Sequence, residues 1–219
     1  AVDWRANRLV DKLAEIAVGA QADSKSVVDL VRSLDSAVAH AAALLGLRDA
    51  TLLQATWHNR SLCLYTKLGF DTRALLSNIQ GQPLNLTSPG CSVRLATAVD
   101  LAACDVLCVQ VHGHDRHGEL ADAVAQGTAT AVEQQGRIVG YASSVGYLGH
   151  AVAEHDDALK ALVGEAPSFF GPGFILPTTN GDVLRWCLSN GLRLVQPFTL
   201  MSIGEYQEPA GPYMSSILY

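Results

Sequence analysis

A weak internal repeat links two stretches of this chain, and that likeness constrains the fold more than any other feature. In the first, the apolar and β-branched run Thr51-Leu52-Leu53-Gln54-Ala55-Thr56-Trp57 reads as a strand. A short amphipathic helix beginning near Ser61 follows, Gly69 supplies a left-handed stop, and Phe70 to Asn78 reads as the next strand. The second copy lies in the tail. There Leu184-Arg185-Trp186-Cys187-Leu188-Ser189-Asn190-Gly191-Leu192 lies over Leu62-Cys63-Leu64-Tyr65-Thr66-Lys67-Leu68-Gly69-Phe70, with Gly191 on Gly69. A strand ending in glycine follows each copy, at Gly81 and Gly204.

The rest of the chain fits around these copies. Glu15-Ile16-Ala17-Val18 reads as a short buried strand. A long amphipathic helix is expected over about 27–45, where Val27, Val28, Leu30, Val31 and Leu34 begin a one-sided apolar stripe. Ser26 with Asp29 forms a capping-box-like start, and Gly46 ends the helix. Residues 80–92 are rich in Gly, Pro and small polar groups and read as a connection. Beyond it come a strand from Val93 running into a capped helix over 101–112, and a short helix from Glu119 to Gln126. Thr128 to Ala142 reads as a hairpin turning at Gln135-Gly136, and Asp156 to Glu165 as a short helix. The expected organisation is a first unit at 1–82, a linker at 83–92 and a second unit at 93–219.

Composition narrows the function. The net charge of −6 and the lack of a basic stripe with interleaved aromatics argue against nucleic acid as a partner. No apolar run is long enough to cross a bilayer, and charged residues interrupt the first twenty positions. The five cysteines are odd in number and follow neither a disulfide framework nor a zinc ribbon, so reduced thiols and a cytoplasmic location are expected. The cluster His112-Gly113-His114-Asp115-Arg116-His117 has the composition of a metal site, but its position reads as a polar helix end stopped by Gly113. No metal is expected.

Asn59-x-x-x-x-Leu64-Tyr65-x-Lys67-Leu68-Gly69-Phe70 closely resembles the second conserved motif of the GNAT acyltransferases. The order strand, two helices and hairpin after residue 93, with Gly136-Arg137-Ile138-Val139-Gly140-Tyr141-Ala142, is similar to the opening of a GNAT domain. The resemblance implies an α/β (α+β) fold, a GNAT-like mixed twisted sheet flanked by helices, present as two related units. Residues 1–82 are too few for a complete unit, so the first would lack its opening strands and helices. Acetyl-CoA is implied as co-substrate, in a wedge between the strand at 15–18 and the strand at 51–57. The backbone of Ile16, Ala17 and Val18 would hold the pantetheine arm, and Asn59 would border the cleft or cap the helix. Tyr65 would protonate the departing thiolate. Glu15, with His58 as the other candidate, would take the proton of the attacking amine.

The implied pyrophosphate loop departs from the family pattern. It corresponds to Gln21-Ala22-Asp23-Ser24-Lys25-Ser26-Val27-Val28, with Ser24 and Ser26 at the two glycine positions. Side chains there crowd a cradle of backbone N–H groups, so weak or lost CoA binding is expected, partly offset by Lys25. The segment Gly19 to Ser26 also spells a phosphate-binding P-loop with one glycine replaced, but the strand at 51–57 ends without a magnesium-holding acid. The second unit has no glycine-rich loop, and Cys187 stands where the first has Tyr65, so it reads as scaffold. Two functions remain at this stage. One is an N-acyltransferase acting on a small-molecule or peptide amine. The other is a GNAT-fold module that has lost catalysis and serves binding or assembly, with a homodimer expected.

Overall fold

The computed structural model describes residues 50–217. Strand β1 (Ala50–Ala55) leads into helix α1 (Asn59–Lys67) and strand β2 (Asp71–Gln80). After the connection come β3 (Ser92–Leu95), a 3-10 turn (Ala98–Asp100), α2 (Leu101–His112) and α3 (His117–Gln126). The hairpin β4 (Thr130–Gln134) and β5 (Arg137–Ala142) follows, then β6 (Ala151–Ala153) and α4 (Asp156–Glu165). The chain closes with β7 (Phe174–Pro177), α5 (Gly181–Ser189), β8 (Arg193–Ile203) and β9 (Tyr213–Met214). The strand expected at 15–18, the loop at 21–28 and the helix at 27–45 lie outside the described residues.

The strands form two antiparallel sheets, in the orders β1-β8-β2-β7 and β3-β4-β5-β6-β9. In the first sheet the two copies interleave. β8, from the tail, lies between β1 and β2, and β2 lies between β8 and β7. The registers repeat as well. Shifting along the chain by the separation of Gly69 from Gly191 carries α1 onto α5 end for end. The same shift carries the pair Leu52–Met201 onto Phe174–Ile79, and Ala55–Phe198 onto Pro177–Leu76. Each copy's last strand is thus paired with the other copy's, and the edge that β1 and β2 would leave open is covered from within the chain.

The pairings within both sheets are antiparallel, and β9 keeps them so. β6 and β7 run in the same direction and would be neighbours. The tail passes between them: Tyr213 and Met214 pair with Val152 and Ala151, and Ser215 bridges to Ile175. The Ala153 N–H donates to Pro212 O at 2.9 Å and the Ser215 N–H to Ile175 O at 3.0 Å. This short strand links the two sheets. Nothing in its sequence, flanked by Pro212 and ending in small polar residues, announces a strand, and the three-residue β6 and four-residue β7 are likewise too short for periodicity to reveal.

Local chemistry explains the remaining elements. The β4–β5 turn places Gln135 (φ 53°) and Gly136 (φ 74°) in the left-handed region, as a two-residue hairpin turn requires. Thr97 and Asp100 form the capping box of the 3-10 turn that leads into α2, and Arg94 donates to both Asp100 oxygens at 2.7 and 2.8 Å and to Glu133 at 2.6 Å. α2 ends at Gly113 (φ 78°), the stop read from the sequence. One apolar core, with Val139, Leu159, Leu162, Phe174, Leu176 and Cys187, lies under α4 and α5; a second, with Cys104, Cys108 and Tyr141, lies under α2 and α3. All five cysteines are free thiols.

Candidate active site

The Tyr65 segment is shaped by the end of α1. Gly69 takes φ 94°, and the N–H groups of Leu68 and Phe70 both return to Tyr65 O, which turns the chain sharply into β2. A Cβ on Gly69 would come within 3.2 Å of Ile203, so position 69 is doubly restricted. With the helix fixed, Ser61 and Tyr65, one turn apart, face the sheet, and each is 7% exposed. The Tyr65 ring meets the Phe70 ring edge-on at 5.8 Å and packs with Met201, beside Ala50, Leu52, Leu62 and Ile203.

Asn59 does not share that face. It is the first residue of α1, exposed, about 120° around the helix from Tyr65. With Arg60, Cys63, Leu64 and Lys67 it lines a shallow cavity of about 290 Å³. The capping role suggested for Asn59 is corrected: the cap position is His58, whose Nδ1 lies against Ser61 Oγ. Glu15, Ile16, Ala17, Val18, Ser24, Lys25, Ser26, Val27 and Val28 lie outside the described residues.

Comparing the two copies position by position isolates what is special about the first. Leu176, Val183 and Cys187 in the tail copy are fully buried members of one apolar core, and burial pushes the Cys187 thiol up to about 12. The same shift places them on Gln54, Ser61 and Tyr65. The backbone frame is kept, and three apolar side chains are replaced by an amide, a hydroxyl and a phenol. A hydroxyl pair flanks each copy, Thr56 with Thr199 at 3.0 Å and Thr178 with Ser77 at 2.8 Å, so that feature belongs to the frame. Sequence reasoning found Tyr65 by its motif but missed Gln54 and Ser61. The signal was available in the repeat, as polar residues opposite apolar ones at matching positions.

In the tail copy the corresponding wedge, between β6 and β7, is filled by β9. An open cavity of about 440 Å³ remains at its mouth, where Asp156, Asp182 and Glu208 stand with Asn180, Tyr206 and Tyr213. The helix starts there are already capped. His155 Nδ1 accepts from Ala158 N–H, and Asn180 Oδ1 from Val183 N–H, while Asn180 Nδ2 donates to Asp156 at 2.8 Å. Capped N–H groups and three carboxylates make this mouth a poor seat for a pyrophosphate.

The histidine-rich end of α2 is a fold element. His117 pairs with Asp105 at 2.7 Å and Arg116 with Glu119, and no group of three potential metal ligands occurs among the described residues. Fully buried His150 places Nδ1 2.8 Å from Glu119 and Nε2 2.9 Å from the Tyr141 hydroxyl. Burial would raise the Glu119 carboxyl, but the hydrogen bond from His150 and the Arg116 charge hold it below the usual carboxylate range. Ionised Glu119 accepts the Nδ1 proton, so Nε2 accepts from Tyr141 and the ring is neutral.

Burial, with the Arg116 charge, holds the His150 pKa below the ordinary imidazole value. Burial, with the neighbouring His150, Arg116 and His114, takes His112 down to about 3 from an ordinary 6.5. Below pH 6.5 the unfolded chain binds protons that the folded chain refuses, so stability falls with pH by about 1.4 kcal/mol per unit for each such ring. The urea midpoint should drop between pH 7 and pH 5, and His112→Gln should flatten that slope. A midpoint constant over this range would contradict the neutral assignment.

No protein-family model and no curated protein matches the chain. Solved structures do. A proposed acetyltransferase from Pyrococcus horikoshii is 16% identical with a TM-score of 0.56, over 78% of this chain and 57% of that one. A GCN5-related N-acetyltransferase from Sphaerobacter thermophilus matches at 11% identity and TM-score 0.43, over 73% and 61%. A GNAT-family acetyltransferase from Colwellia psychrerythraea does so at 11% and 0.42, over 71% and 65%. This chain therefore spans less than two thirds of each of these three structures. Among the described residues, no helix is long and apolar enough to cross a membrane. The chain has the α/β fold, two antiparallel sheets flanked by helices, of the Pyrococcus acetyltransferase structure.

Proposed function

We propose that this protein is an N-acyltransferase of the GNAT type, with a single working site in the first copy and a scaffold in the second. The observation that carries this reading is the contrast on one shared frame: Gln54, Ser61 and Tyr65 in the first copy against Leu176, Val183 and Cys187 in the second. A buried polar group costs stability unless something binds it, so chains keep such groups where chemistry needs them. The donor is acetyl-CoA or a related acyl-CoA, and the acceptor is an amine on a small molecule or peptide. The amine nitrogen attacks the thioester carbonyl, forming a C–N bond. The C–S bond breaks, the amine proton passes to Glu15, and the Tyr65 phenol gives its proton to sulfur.

Calorimetry with acetyl-CoA tests this most directly. Micromolar binding that is lost in Lys25→Glu is expected, because that side chain would stand at the pyrophosphate loop. Silence at millimolar ligand would leave the assembly-module reading instead. That second reading draws on one observation, the tail wedge closed by the chain's own β9.

A further inference from the structure

Gln54 is a buried polar side chain of the first copy that the motif does not account for. It sits near the end of β1, 5% exposed, and among the described residues neither its amide oxygen nor its nitrogen has a hydrogen-bond partner. Strand alternation puts it on the same face as Ala50 and Leu52, which pack around Tyr65. Buried amides are almost always paired, and the frame does not require one here, because the matching position in the tail copy is filled by Leu176. The carboxamide offers one acceptor and two donors in a plane, a shape that a second amide meets with two hydrogen bonds at once.

Resting on the acyltransferase reading, we propose that Gln54 is a positioning residue for the acyl donor. Its carboxamide pairs with an amide of the pantetheine arm and draws the thioester into register with Tyr65. A donor without that arm would leave the pair unmade, so the residue selects CoA-type thioesters over shorter ones. It acts on binding geometry and exchanges no proton with the reacting atoms.

The test is Gln54→Leu, which installs the residue of the tail copy and suits the fold. Its melting temperature should rise by several degrees, because an unpaired buried amide is removed. Its affinity for acetyl-CoA should fall at least tenfold, while affinity for 3′,5′-ADP, which has no arm, stays within twofold of the parent. Equal acetyl-CoA affinity in parent and variant would overturn the assignment, and so would an equal loss for both ligands. A parent chain that binds neither ligand would instead sink the acyltransferase reading on which the proposal stands.

Discussion

Tyr65→Phe should lower turnover about a hundredfold or more and leave acetyl-CoA affinity within about twofold. General acids of this kind contribute on the order of 10²–10⁴ in rate, because an unprotonated thiolate is a poor leaving group in a site shielded from water. The substitution keeps the ring, which packs against Phe70 and Met201, so the end of α1 and its Gly69 turn should be preserved. The loss would thus fall on kcat and not on donor binding. Stopped assays with saturating acetyl-CoA, alongside calorimetry on the same preparation, make the separation. Full turnover in the variant would remove the acid role from Tyr65 and turn attention to water or another phenol.

Met214→Asp should destabilise the fold by about 4 kcal/mol, the scale on which an unpartnered charge is forced into an apolar core. Met214 is 1% exposed, belongs to the core under α4 and α5, and stands opposite Ala151 in the strand that links the two sheets. A carboxylate there would enter an apolar core, and protonating it still leaves a polar group in apolar surroundings. The damage should spread, because losing β9 also releases the bond from Ser215 to Ile175 and reopens the gap between β6 and β7. Urea unfolding read by far-ultraviolet circular dichroism gives the magnitude. A change under 1 kcal/mol would mean that β9 rests on the surface of the wedge and does not hold it shut.

The elements legible beforehand were those with a local code. The Gln135-Gly136 turn, the Gly69 and Gly113 stops and the Asp156–Glu165 helix all depend on neighbours within a few residues, and all lie where the sequence puts them. β6, β7 and β9 depend on partners far along the chain and carry too few residues for a pattern. The same division runs through the candidate site. Tyr65 was marked by the resemblance of its segment, Asn59 to Phe70, to a family motif, whereas Gln54, in the middle of an apolar strand, became conspicuous only when Leu176 was seen to occupy the matching place.

Sequence by itself determined that the stretch ending at Gly191 can be laid over the one ending at Gly69, with Cys187 where the earlier stretch has Tyr65. Helix stops, caps and turns are short-range properties of the backbone, and they repeat wherever the residues repeat. Tertiary structure alone decided how the copies combine. Unpaired strand edges seek hydrogen bonds regardless of chain order, so each last strand went to the other copy's sheet and the tail entered the second wedge. That choice fills the gap between β6 and β7 with the chain's own β9.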